Sequence, residues 1–282
     1  MLCRFVRRHA RVLSLSAGLL VLSPALGWGI LVAPHAVFID HRTRVAQVFL
    51  VNNGTVPEEV TIDLKFGYPD TDSAGTIFVR LFDSTTADQP SAAGWIKAYP
   101  RRVLVQPGER QVVRLLATPP ADLPDGEYWT RLIATSRDGR PIGAAADTGA
   151  VGAGVSLQLR TIISVTYRKG QLTTGIVADE FTPTVEHDSL VSWTTLRREG
   201  TAAFLGTARI SLTNDAGKVV RSWTTPVGIY YTLRRRMTFP LEGLAPGRYT
   251  AKLEVTTQRY DIDRRDVLPA KPVERSAEIV VR

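Results

Sequence analysis

The sequence predicts an all-β protein of two immunoglobulin-like β-sandwich domains, residues 30–168 and 169–282, behind a cleavable signal peptide, residues 1–29. Three observations predict it. Apolar residues recur in short runs or at every second position, and turn residues separate the runs. No stretch keeps helical periodicity beyond one turn. The strand candidates divide into halves of roughly 110 to 135 residues, a size that suits a sandwich.

The amino terminus sets the compartment. Arg4, Arg7, Arg8 and Arg11 form a basic stretch with no acidic residue before Asp40, and an apolar run from Val12 to Leu26 follows. It closes on Ala25-Leu26-Gly27, the pattern of a secretory signal cleaved after Gly27 or Gly29. A spanning helix needs about 20 apolar residues, and this run is shorter and contains Pro24. The expectation is a protein exported to the periplasm with no membrane span after cleavage. Export also accounts for much of the charge. The +8 of the whole chain includes the four leader arginines, so the mature chain carries +4, and nucleic acid is not an expected partner. Cys3 is the single cysteine and lies in the leader, so the mature chain relies on core burial without disulfides.

Along the first half, Ile30–Val32 and Ala36–Ile39 flank Pro34, which predicts a strand that kinks or changes partner there. Val45 to Val51 ends at Asn52-Asn53-Gly54, a turn signal. Val60, Ile62, Leu64 and Phe66 alternate with polar residues and predict a half-buried strand. Further strands are read at 76–82, 95–96, 103–105, 112–116 and 128–135. Residues 137–154 are rich in Gly and Ala and offer little to bury, so they predict a mobile approach to a long strand, Val155 to Tyr167. Arg168-Lys169-Gly170 reads as a linker. In the second half, strands are read at 191–193, 207–212, 219–223, 228–233, 237–241, 249–255 and 277–281, with Asn214 to Gly217 and Ala245-Pro246-Gly247 as turns.

Several of these segments, in order, carry a resemblance. They are Val32 to Phe38, the VFLVNNG run at 48–54, PRRVLVQPGERQVVR at 100–114, LPDGEYW at 123–129 and VSLQLRTIISVTYRKG at 155–170. With them the first domain resembles the periplasmic pilus (fimbrial) assembly chaperones, the PapD-like family, as a divergent branch. The second domain carries weaker parallels at Leu196 to Gly200, Gly206, Tyr230 and Leu244 to Tyr249. The resemblance implies a chaperone that caps fimbrial subunits by lending them an edge strand, with an outer-membrane usher as a further partner.

Strand lending requires large apolar side chains at alternate positions of an exposed edge. Val155, Leu157 and Leu159 meet the spacing, with Ser156, Gln158 and Arg160 on the other face. Burial of each apolar side chain contributes at most about 1.5–3 kcal/mol, and each new ladder bond roughly 0.5–1.5 kcal/mol. That holds a client yet leaves it displaceable. The same exposed edge allows a self-capping dimer. An alternative reading makes residues 155–159 the ordinary last strand of the sandwich, and for Thr161, Ile163 and Val165 that reading is the expected one.

The family grips its client's terminal carboxylate with two basic residues between the domains. The matching positions here are His35 and Ser164, so neither basic residue is present. Arg160, Arg168 and Lys169 are the nearby cations that could act in their place. This departure favours the second functional reading, a structural or adhesive sandwich module of a surface assembly. A carbohydrate-binding sandwich using Trp95, Trp129, Trp193 or Trp223 is a third, less supported reading, because Trp in sandwiches is more often core.

Catalysis and cofactors are not expected. His35, His41 and His187 have no ligand-like spacing for a metal. No G-x-S-x-G elbow occurs. Asp261, Asp263 and Asp266 are interleaved with Arg264 and Arg265, which predicts a salt-bridged loop instead of a calcium site. Arg234-Arg235-Arg236 reads as a solvated strand edge that resists aggregation. Gly149, Gly152 and Gly154 lead into a strand, not a helix, and so do not form a phosphate loop.

Overall fold

The computed structural model describes residues 29–138 and 158–282. Two sandwiches, each with its own apolar core, account for nearly all of them. Among the described residues no helix is long and apolar enough to cross a membrane, and the signal peptide expected at 1–29 falls almost wholly outside them.

In the first sandwich, β1 (Ile30–Ala33), β3 (Val45–Asn52), β9 (Arg110–Ala117) and β7 (Ile96–Tyr99) form one sheet in the order β1-β3-β9-β7. The facing sheet runs β2-β11-β10-β4-β8, from β2 (Ala36–Asp40), β11 (Gln158–Lys169), β10 (Gly126–Asp138), β4 (Glu58–Lys65) and β8 (Arg102–Val105). Pro34, which has no N–H to give a ladder, stands where the chain leaves one sheet for the other, as the sequence predicts. β1 pairs antiparallel with β3, and β2 pairs parallel with β11. Alternation decides what enters the core: Val48 and Leu50, Val60 and Ile62, Val113 and Leu115, and Ile163, Val165 and Tyr167 are all buried there. Asn52 ends β3 for a reason. Its buried amide donates to Val56 O at 2.7 Å and Val105 O at 2.9 Å and accepts from Gly54 N at 2.8 Å, so it closes the turn and ties β3 to β8.

The second sandwich stacks a sheet β12-β13-β16 on a sheet β15-β14-β17-β18. Its strands are β12 (Thr174–Glu186), β13 (Ser189–Gly200), β14 (Phe204–Asn214), β15 (Val219–Ile229), β16 (Thr232–Pro240), β17 (Gly247–Thr256) and β18 (Val273–Val281). Both sandwiches contain the tyrosine corner of immunoglobulin-like folds. Tyr128 Oη donates to Pro124 O at 2.9 Å, and Tyr249 Oη donates to Ala245 O at 2.7 Å. The two corners come from the parallel segments Leu-Pro-Asp-Gly-Glu-Tyr and Leu-Ala-Pro-Gly-Arg-Tyr.

Three elements differ from the sequence reading. The run expected as one strand over 228–233 is broken, because Tyr230 and Tyr231 make the turn between β15 and β16. β12 is a full strand that carries Pro183 and a register shift between Ala178 and Glu180, both of which blur its alternation. Phe66 belongs not to its own sandwich but to an aromatic layer between the two. After it, β5 (Gly67–Thr71) and β6 (Ile77–Leu81) form a separate hairpin.

Candidate functional site

The sandwiches meet in an aromatic layer. Trp129 and Phe66 come from the first, and Ala203 and Tyr230 from the second. Tyr230 lies edge-on to Trp129 with centroids 4.7 Å apart, and Tyr231 lies 4.8 Å from Tyr68. Beside this layer Glu127, almost fully buried, accepts three hydrogen bonds: from Trp129 Nε1 at 2.8 Å, from Ala203 N at 3.0 Å and from Arg168 Nε at 2.9 Å. Arg168 continues across the junction, donating to Asp266 O at 2.6 Å while its guanidinium covers the Phe38 ring. Desolvation raises the Asp266 carboxyl above its usual range, with the charge of Arg168 opposing it. A second link comes from the β5–β6 hairpin, whose Gly75 O accepts from Arg236 N at 3.0 Å. Gly75 has φ of +77°, and a Cβ there would lie 2.5 Å from that same nitrogen.

β11 runs along the edge of this junction. Its whole length pairs with β10, from Gln158 opposite Arg137 to Lys169 opposite Gly126. On its other side β2 pairs only with Ser164 to Arg168. Among the described residues, the outer edge from Gln158 to Ile163 therefore has no ladder partner. Leu159 is on the same face as Ile163, Val165 and Tyr167, but at the end where the core stops. It is 43 % exposed, and its Cδ2 is 2.8 Å from where Gly29 would carry a Cβ. Ile163 and Val165 are in the core, as expected, and Thr161 is half-buried. Val155 and Leu157 lie outside the described residues.

The five candidate cleft residues separate into two groups. His35 and Ser164 are adjacent, since His35 O accepts from Ser164 N at 3.1 Å. Ser164 Oγ faces Tyr230 Oη at 3.2 Å, while His35 is exposed. Arg160 is exposed and shares the face of Ser164, because β11 pairs with β10 without a register shift. Arg168 and Lys169 point elsewhere: Arg168 is held by Glu127 and Asp266, and Lys169 Nζ is bonded to Leu123 O and lies 3.8 Å from Asp125.

The sequence reading missed Arg131. It is the register partner of Ser164 on β10 and only 6 % exposed. Its Nε donates to Gly67 O at 3.0 Å, its Cζ stands 5.0 Å from the Tyr230 ring centroid, and its Nη2 is buried without a hydrogen-bond partner. The available signal was an arginine inside the otherwise apolar or neutral run Tyr128 to Ser136, where burial on both faces of β10 should have been expected. The loop over 261–266 is salt-bridged, as read. Asp261 pairs with Arg259 at 2.5 Å and Asp263 with Arg265 at 2.8 Å. Arg234 and Arg236 pair with Glu180 and Glu186 on the edge strand β16, and Arg235 turns inward to Thr225, where desolvation lowers its pKa. His187 has φ of 51° in the turn between β12 and β13.

No protein-family model matches the chain, and no curated protein sequence matches it. Among solved structures, the chain is similar to the YadV chaperone, with 14 % identity over 88 % of this chain and 99 % of that one and a TM-score of 0.45. It is similar to the CupB2 chaperone of Pseudomonas aeruginosa, with 14 % identity, coverage of 87 % and 98 % and a TM-score of 0.41. It is also similar to a chain of the Salmonella enterica complex between the SafA pilin and the SafB chaperone, with 13 % identity, coverage of 89 % and 97 % and a TM-score of 0.43.

Proposed function

We propose that the chain is a non-catalytic periplasmic chaperone of fimbrial assembly that holds a subunit by adding the free edge of β11 to the subunit's incomplete sheet. One observation carries the reading: β2 covers β11 only from Ser164 onward, so the backbone from Gln158 to Ile163 can pair with another chain. Leu159 is half-exposed at the end of that edge and in this reading enters the partner's groove. Leu157 and Val155, two and four residues before it in the sequence, would extend the same series.

Arg131 supports a cleft that receives a carboxylate. A buried guanidinium with an unpartnered nitrogen is costly until an anion meets it. Arg131 stands beside Ser164 and below Tyr230, so a client carboxylate would reach it by displacing the Tyr230 ring. In this reading Arg131 supplies the charge that positions 35 and 164 lack. An outer-membrane usher would receive the loaded chaperone.

The test is co-expression with a candidate fimbrial subunit. Leu157→Asp combined with Leu159→Asp should abolish co-purification while the chaperone keeps its fold by circular dichroism. Clients retained at wild-type levels would remove the strand-lending reading. Stable recovery of the chain in surface polymers would instead favour a structural module, the reading that His35 and Ser164 leave open.

A further inference from the structure

The β5–β6 hairpin has a second unprotected edge, unrelated to client binding. Among the described residues, β6 pairs with β5 alone, in a two-stranded sheet. It carries Ile77 and Val79 on one face and Phe78 on the other, exposed by 37, 37 and 38 %. The hairpin is not loose. Gly75 is bonded to Arg236, Tyr68 packs on Tyr231, and Gly67 O accepts from Arg131, so β5 is fixed and β6 is held outward.

Exposed edges are ordinarily broken by proline, bulges or charge. Four other edge strands of this molecule follow that rule. Pro226 interrupts β15, Pro183 and a register shift interrupt β12, Arg234 and Arg236 line β16, and β18 carries Glu274, Arg275 and Glu278. β6 has no proline and no register shift against β5. Its single charge, Arg80, is turned back to Asp70 on β5 at 2.5 Å.

The order of residues on β6 says what would cover it. In an antiparallel pairing centred on Val79, Val79 meets Val79 of a second copy, Ile77 meets Leu81, and Phe78 meets Arg80. Apolar residues then face apolar ones across the axis. Each guanidinium gains a second ring, having already its own Phe78 at 5.2 Å. A two-fold contact requires such self-complementarity.

We propose that β6 is a homodimer edge, on which two copies join their hairpins into one four-stranded sheet β5-β6-β6-β5. Five residues per strand make a small interface, so the dimer is concentration-dependent and exchanges quickly.

Sedimentation velocity over a concentration series tests this, with Cys3→Ser as background. The wild type should shift from monomer towards dimer. Val79→Lys places two ammonium groups face to face on the axis and should raise the dimer dissociation constant at least about tenfold. Val79→Cys should oxidise to a disulfide-linked dimer, whereas Phe78→Cys, off the axis, should not. Leu159→Asp should leave the dimer unchanged. A monomer at every concentration with no cross-link at position 79 would overturn the proposal. So would a dimer that survives Val79→Lys and disappears with Leu159→Asp, which would assign self-association to β11.

Discussion

Glu127 couples the two sandwiches through Ala203 N, and its removal has a calculable consequence. Glu127→Ala leaves three donors without an acceptor: Trp129 Nε1, Ala203 N and the part-buried Arg168 Nε. Breaking a buried charge pair from one side costs about 3–5 kcal/mol, because the remaining charge keeps its desolvation penalty. For a chain of this size that corresponds to a loss of roughly 10 °C in Tm. The loss should be shared unequally. The donors lie at the junction, so the sandwiches should uncouple and urea unfolding should change from one transition to two. Trp129 fluorescence should report the earlier one. Pairing Glu127→Gln with Arg168→Met removes the stranded charge and should recover about 2 kcal/mol of the loss. A Glu127→Ala cost below about 1 kcal/mol, with a single unchanged transition, would refute the reasoning.

Other expectations follow from the same geometry. Arg131→Met deletes a buried cation that has only a carbonyl and a ring as partners, so stability should change by no more than about 1 kcal/mol. Client affinity should fall at least tenfold, as read by titration with a subunit. Gly75→Ala forces a side chain into a left-handed position against Arg236 N and should cost about 1–3 kcal/mol in urea unfolding. Acid should weaken the fold in a defined window. Hydrogen bonds from Arg265, first from its side chain and then its backbone, hold Asp263 down at about 2. Arg234 and Thr195 lower Glu180, and Arg259 lowers Asp261. Their folded pKa values lie below the unfolded ones, so their contribution is complete above about pH 4 and is lost as pH falls towards 2. Asp266, raised by burial, acts in the opposite sense. Tm should therefore stay level from neutral pH to about pH 5 and drop below about pH 4, by calorimetry.

Much of the architecture was legible because alternation in a sandwich maps directly to burial. Val60 and Ile62 are in the core, Pro34 marks the change of sheet, and the Pro-Gly and Asp-Gly segments are turns or strand starts. Alternation says which side a residue faces but not which neighbour waits there. Phe66 and Trp129 thus read as core of one sandwich and lie between two. The turn at Tyr230-Tyr231 was hidden because it has aromatic residues where glycine or proline would normally mark a break, and those rings are needed in the junction. β12 was hidden by Pro183 and its bulge. At the candidate site, the face on which Leu159 lies was legible from its spacing. Arg131 was not, because an arginine on a strand reads as solvent-facing, and its burial depends on a domain that begins some forty residues later.

Hydrogen exchange on β11 tests the central claim most directly. In the free chain, the amides between Gln158 and Ile163 that are not bonded to β10 should exchange at rates near those of open chain, while Val165 to Arg168 stay protected under β2. Adding a fimbrial subunit should protect those outer amides, and Leu159→Asp should prevent it. Full protection of 158–163 in the free monomer, or exchange that a bound subunit leaves unchanged, would contradict the account.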